Sequence, residues 1–219
     1  MTLDIAEALR YIGAGGSPSE ELRRDMAEIA EKLKRAVQPR WAWRVFPIRH
    51  GPEGIVLSGA GVTLTGESAR RMLEQCGQAV LLVCTLGARF DAMLRAEQAR
   101  DMAKAVMLDA AGSAWVEAGC GAAEEEIAAR FPDLFRTDRF SPGYGDLPLE
   151  IQPALCAALD AQRRVGVCVT NSLLLNPGKS VTAIVGLADR PQPQRIRGCA
   201  FCSLRESCTL RKRGETCGS

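Results

Sequence analysis

The apolar run Gln78-Ala-Val-Leu-Leu-Val-Cys-Thr85 constrains this chain more than any other stretch. It is rich in β-branched residues, long enough for a central strand and too short for a helix of ordinary length. The segment is expected to form the middle of a sheet. No apolar run in the sequence is longer than Ala79 to Cys84, far short of the roughly 20 residues that cross a bilayer. No membrane association is expected.

The flanking segments are those of a mixed α and β domain. Residues 2–12 read as a short helix ending at Gly13 and the Gly15-Gly16 pair. Ser17-Pro-Ser-Glu20 forms a capping box with proline at the first helical position, and Leu22, Met26, Ile29, Leu33 and Val37 recur at helical spacing. Pro39 stops that helix. Trp41, Trp43 and Val45 alternate as a half-buried strand ending near Pro47, and Gly54–Ser58 and Gly61–Leu64 follow as short strands. Thr65 caps a helix over 66–76, and Thr85-Leu-Gly87 turns the chain into another over 88–97.

From about Gln98 to Arg130 the chain reads as one long Ala-rich helix containing Gly112, Gly119 and Gly121. Each interior glycine costs about 1 kcal/mol relative to alanine. Such residues mark either the close approach of another backbone or ligand, or a break into two helices. Asp109, Ser113 and Glu117 are spaced by four and form a polar stripe on this helix, either solvated or lining a cleft. Glu150–Arg164 reads as a helix, Val165–Thr170 as a strand, Asn176-Pro-Gly-Lys as a turn and Ser180–Leu187 as a strand, the two strands pairing as a hairpin-like unit. The expected architecture is α+β: a bent, mostly antiparallel sheet of about five strands, from the runs near 41, 54, 79, 165 and 180, with helices on one side.

Arg139-Phe-Ser-Pro-Gly-Tyr-Gly-Asp-Leu-Pro148 stands apart in composition. Its prolines stiffen the backbone, while Gly143 and Gly145 allow positive φ and close approach of a ligand. A guanidinium able to fork onto a carboxylate, a phenol and the Asp146 carboxylate lie between them. An anionic, partly aromatic small molecule suits this set; the plainer reading is a connection whose Arg and Tyr cap neighbouring helices.

Length and charge restrict the rest. With 219 residues, the simplest count is one domain over 1–188 and a linker plus small tail over 189–219. A net charge of +2 implies no nucleic-acid partner. The first residues lack a basic and an apolar leader region, which points to the cytoplasm. His50 is the one histidine and falls in a Pro/Gly-rich turn; no multi-histidine metal site is possible, and no Gly-x-Ser-x-Gly nucleophile motif exists. Of nine cysteines, Cys76, Cys84, Cys120, Cys156 and Cys168 sit in apolar or helical surroundings as core residues. After the Arg190-Pro-Gln-Pro-Gln-Arg linker, Cys199, Cys202, Cys208 and Cys217 crowd into nineteen residues. Four thiolates so close suit an iron–sulfur cluster or tetrahedral zinc, and spacing does not separate these. Arg195, Arg197, Arg211, Lys212 and Arg213 make this end cationic, suited to docking an acidic electron donor.

Arg139, Pro142-Gly143-Tyr144 and Pro148, followed about thirty residues on by Thr170-Asn-Ser172 and Asn176-Pro-Gly-Lys-Ser180-Val-Thr-Ala, resemble the activation (reactivation) domain of cobalamin-dependent methionine synthase in its free-standing, single-domain form. The resemblance runs from Arg10-Tyr-Ile-Gly13 through Thr85-Leu-Gly87 to about Leu187. It implies an activation component, not a complete enzyme. Such a protein holds S-adenosylmethionine over a corrinoid partner, methionine synthase or a related methyltransferase, while flavodoxin or ferredoxin supplies one electron. It also implies roles for Arg139 on the ligand carboxylate, for Pro142, Gly143 and Tyr144 in shaping the pocket, and for Glu117 near the methionine part. Lys179 and Ser180 either contact the ligand or finish the turn. No side chain need act as acid, base or nucleophile. The competing reading is a small iron–sulfur or zinc redox or docking module for a corrinoid protein, without activity dependent on S-adenosylmethionine.

Overall fold

The computed structural model describes residues 1–14 and 17–192, together with Glu206 and Lys212. The expected Gly15-Gly16 break and the four tail cysteines lie outside the described residues. The elements, in order, are α1 (Ile5–Tyr11), α2 (Glu20–Ala36), β1 (Arg40–His50), β2 (Ile55–Leu57), β3 (Val62–Leu64), α3 (Glu67–Leu73), β4 (Gln78–Thr85), α4 (Gly87–Gln98), α5 (Met102–Arg130), β5 (Phe135–Arg136), α6 (Gln152–Leu159), α7 (Ala161–Val165), β6 (Cys168–Val169), β7 (Leu175–Asn176) and β8 (Ser180–Ala188).

Six strands form one antiparallel sheet in the order β3-β2-β1-β4-β8-β5. The α+β class and the central place of the 78–85 run are as expected. β4 pairs with β1 along Arg40↔Thr85 to Pro47↔Gln78 and with β8 along Gln78↔Leu187 to Thr85↔Ser180. β1 does not end at Pro47. It changes partner there, pairing with β4 up to Pro47 and with β2 from Ile48 to His50. Proline has no N–H to donate, which suits the point where one ladder gives way to the next.

Helices cover both faces of the sheet, not one. Ala79, Leu81 and Val83 pack with Leu73 of α3, Leu155 of α6 and Val165 of α7, whereas Leu82 and Cys84 pack with Leu9, Leu33, Phe90 and Ala111 of α1, α2, α4 and α5. Side chains alternate across a strand, so one apolar run supplies both layers. An uninterrupted apolar strand is the signature of burial on both faces, whereas a one-sided sheet calls for alternation.

The expected pairing of the 165–170 and 180–187 segments does not form. β6 pairs with β7 in a separate two-stranded ribbon, and β8 inserts between β4 and β5. β8 presents seven buried residues, and only a place next to β4 covers both of its faces. The expected 150–164 helix is interrupted at Asp160, whose φ of 51° separates α6 from α7. α2 is capped by Ser19, whose hydroxyl accepts from Leu22 N at 3.2 Å, and not by Ser17.

α5 runs unbroken for 29 residues, capped by Asp101 on Lys104 N. Two of its three glycines are points of close approach. A Cβ on Gly112 would stand 2.2 Å from Phe90 Cζ, and one on Gly119 would stand 2.6 Å from Pro39 Cβ and 2.8 Å from Cys84 Sγ. Gly121 has nothing within 4 Å. The neighbours are protein atoms, so Gly112 lets α5 lie close to α4 and Gly119 lets it lie close to the sheet.

Candidate functional site

α5 carries one side of the site. Asp109, Ser113, Glu117 and Glu124 recur at four, four and seven residues, which places them along one stripe of the helix. Arg139 comes from the strand-like segment after β5, where Phe140 bridges Ile184 of β8. That bridge turns Phe140 into the core and leaves Arg139 facing α5. The Arg139 side chain is only 10% exposed and is held by two carboxylates, Glu124 Oε2 at 2.8 Å from Nη1 and Glu117 Oε2 on Nη2. Burial by itself would lower the guanidinium pKa; the acidic groups around it, Cys120, Glu117 and Glu124, outweigh burial and raise it above the ordinary arginine value.

Arg139 and Glu117 are thus brought together across 22 residues of sequence. Glu124 was not anticipated, although its place two turns beyond Glu117 on the same face is a readable signal. In such a triplet one cation faces two carboxylates, so one carboxylate is in excess. A zwitterionic amino-acid group suits that charge pattern. Its carboxylate would replace Glu117 on the guanidinium fork, its ammonium would take up the released Glu117, and no buried charge would be left alone.

The loop beyond Arg139 is ordered by its own backbone. Gly143, at φ 82°, donates its N–H to Leu147 O at 2.9 Å, and Tyr144 N donates to Ser141 O at 3.1 Å. Pro142 and Gly143 shape this tight turn, and the Tyr144 ring stands exposed at its tip. Asp146 is a structural anchor. Its carboxylate accepts from Glu67 N at 2.5 Å and Ser68 N at 2.9 Å, capping α3 in place of the expected Thr65. The Ser68 side-chain hydrogen bond, aided by the backbone donors, holds the Asp146 carboxyl below its usual range. The plainer reading has the Arg and Tyr of this loop capping neighbouring helices; it is Asp146 that caps α3, while the Arg139 guanidinium is held by two carboxylates of α5.

A second cluster lies two turns toward the N-terminus of α5. Lys179 Nζ is 3.0 Å from both carboxylate oxygens of Asp109 and 2.8 Å from Ser113 Oγ. Ser180 finishes the turn, as one of the expected alternatives had it: its hydroxyl contacts Thr85 Oγ1 at 2.8 Å and Pro177 O at 2.7 Å. Thr85 Oγ1 accepts in turn from Gly87 N at 2.9 Å, which ties the Thr85-Leu-Gly87 turn to the 176–180 segment. Between Ser180 and Ala183 the outer edge of β8 has no strand partner among the described residues. Tyr11, at the end of α1, donates its hydroxyl to Glu7 at 2.8 Å; burial and then that bond raise the phenol's pKa.

Among the described residues no group of three or more His, Cys, Asp or Glu side chains could hold a metal, and no helix is long and apolar enough to cross a membrane. Cys76, Cys84, Cys120 and Cys156 are buried and Cys168 partly so, all as free thiols.

No family model matches the sequence, and no curated protein matches it. Among solved structures, the chain is similar to a crystal structure of the MetH reactivation domain bound to AdoHcy, with a TM-score of 0.64 over 90% of this chain and 73% of that one, at 16% identity. The chain has the reactivation-domain fold. At this identity the likeness concerns the path of the backbone.

Proposed function

We propose that this chain binds S-adenosylmethionine and serves as an activation component for a corrinoid methyltransferase, cobalamin-dependent methionine synthase first among them. The observation that carries this reading is the largely buried Arg139 held between Glu117 and Glu124, in a chain with the reactivation-domain fold. Arg139 would take the ligand carboxylate, Glu117 the ammonium, and the backbone of Pro142 and Gly143 with the Tyr144 ring would wall the site. The protein contributes position: it holds the sulfonium methyl where a partner's cobalt can reach it, and excludes water from the charged end of the ligand. With a one-electron reductant, that methyl converts the partner's cob(II)alamin to methylcobalamin and releases S-adenosylhomocysteine. No proton transfer is required of any residue in this scheme.

Cys199, Cys202, Cys208 and Cys217 would hold an iron–sulfur cluster or zinc, since an all-thiolate donor set suits both. A cluster would allow the basic tail to receive an electron from flavodoxin or ferredoxin. Metal analysis and the visible spectrum of anaerobically purified protein separate cluster, zinc and neither, and loss of the metal in Cys199→Ser checks the ligand assignment.

Isothermal titration with S-adenosylmethionine tests the site. Wild type should bind. Arg139→Ala should weaken binding at least about thirtyfold, because it removes a buried, charge-paired contact. Tyr144→Ala, at an exposed position that cannot disturb the core, should weaken it by a smaller factor. Unchanged binding in Arg139→Ala of native circular dichroism would overturn the assignment.

A further inference from the structure

Four exposed arginines gather where β1 meets α6 and α7. Arg40 Nη2 donates to Val165 O at 3.1 Å, Arg44 Nη1 to Ala158 O at 2.6 Å and Arg164 Nη1 to Trp43 O at 3.2 Å, while Arg163 of α7 stands 86% exposed. Arginines commonly hold the last carbonyls of a helix, and capping accounts for the bonds to Val165 and Ala158. It does not account for the charge. A guanidinium has five donors and a carbonyl neutralises nothing, so Arg40, Arg44 and Arg164 keep most of their N–H groups and all of their charge. Among the described residues none of these three forms an ion pair; Arg163 has Asp160 at 3.7 Å, an exposed pairing that contributes little. Four arginines and one aspartate leave three positive charges on this patch, against +2 for the whole chain.

We propose that this patch docks an acidic protein, the one-electron carrier of the activation scheme, through carboxylates on the carrier's surface. The identity of the carrier rests on that scheme, whereas its acidic character rests on the patch alone. A planar guanidinium bonds a carboxylate side-on through two N–H groups. Here the forks are held before a partner arrives, by the carbonyl bonds and, for Arg44, by the Phe46 ring 5.1 Å away. Little side-chain freedom is then lost on docking. The uncompensated charge also speeds encounter with an acidic partner, in a salt-dependent way. Ala42 and Phe46, which share the face of β1 with Arg40 and Arg44, pack in the layer of α6 and α7, across the sheet from α5. The patch and the Arg139 site can therefore be filled together. Arg40 pairs with Thr85 and Thr85 with Ser180, so the patch begins two strands, about 10 Å, from the 176–180 turn.

Flavodoxin is the probe, titrated into the full chain at about 0.01 M and about 0.15 M salt, between which the screening length falls from about 30 to about 8 Å. Wild type should bind it at low salt and lose about tenfold in affinity at the higher salt. Arg163→Glu changes an exposed side chain outside the core and should weaken low-salt binding several-fold; combined with Arg44→Glu the loss should reach about tenfold or more. Arg44→Lys, which keeps the charge and loses the fork, should fall between wild type and Arg44→Glu. S-adenosylmethionine affinity should be the same in all of these variants. Circular dichroism and melting curves separate misfolding from lost contact, and Arg163→Glu keeps the test alive if Arg44→Glu does not fold. No binding at low salt, or an affinity indifferent to Arg163→Glu and Arg44→Glu, overturns the proposal. If Arg211→Glu, Lys212→Glu and Arg213→Glu together abolish binding while the Arg44 and Arg163 variants keep it, the tail is the dock and this surface falls. If binding follows Arg44 and Arg163 in a chain that does not bind S-adenosylmethionine, the surface stands and the activation reading falls.

Discussion

Replacing Gly112 by alanine sets two effects on α5 against each other, and the structure decides their sum. Alanine in a helix interior is favoured over glycine by about 1 kcal/mol. Against this, the new Cβ would lie 2.2 Å from Phe90 Cζ and 2.5 Å from Cε2, both at least about 1 Å inside the ~3.5 Å at which carbon atoms attract. Phe90 is fully buried in the layer formed by α1, α2, α4 and α5, so its ring has no free space to swing into. Overpacking of this kind costs about 1–3 kcal/mol, occasionally more, and a contact this short belongs at the upper end. Gly112→Ala should therefore destabilise the protein by about 2 kcal/mol net. Gly121→Ala is the internal control on the same helix: nothing lies within 4 Å, and the propensity gain of up to about 1 kcal/mol should appear undiminished. The gap of about 3 kcal/mol corresponds to roughly 6–12 °C in Tm for a chain of this size. Urea unfolding followed by tryptophan fluorescence reads it as opposite shifts of the midpoint at constant m-value. A Gly112→Ala midpoint at or above that of wild type would refute the packing argument. It would mean that α4 and α5 can separate at little cost.

Three further outcomes follow from the geometry. Asp146→Ala should lower stability by about 1 kcal/mol through loss of the α3 cap; because the native Asp146 pKa is depressed, this contribution is complete above the unfolded value of about 4 and disappears as pH falls through the native one, so wild-type and mutant urea midpoints should converge on acidification. Glu126 accepts from the indole N–H of Trp41 at 2.8 Å and of Trp43 at 3.1 Å, so Glu126→Ala should cost about 1 kcal/mol and shift the tryptophan emission, and an unchanged spectrum would count against the paired contact. Burial pushes the Cys76 and Cys156 thiols up to about 11, so brief alkylation of native protein near pH 8, read by peptide mass spectrometry, should modify partly exposed Cys168 well before Cys76 or Cys156.

What the sequence by itself determined was local. The central strand, the amphipathic α2 and the long α5 follow from apolar runs, 3.6-residue spacing and caps, all of which act within a few residues of chain. The polar stripe of α5 is readable in the same way, and so is the unusual chemistry of the 139–148 loop. The tertiary structure decided everything that depends on distant partners. Asp146 caps a helix 79 residues away, Lys179 meets Asp109 across 70, and Arg139 meets Glu117 and Glu124 on a helix that the sequence only marks as polar on one side. β8 left its neighbour in sequence for β4 because only there are both of its apolar faces covered. The uninterrupted apolar run of β4 is the mark of a strand covered on both faces, but which helices cover each face was decided only by what packs against it. Periodicity records which residues avoid water; it holds no record of which distant residue they avoid it with.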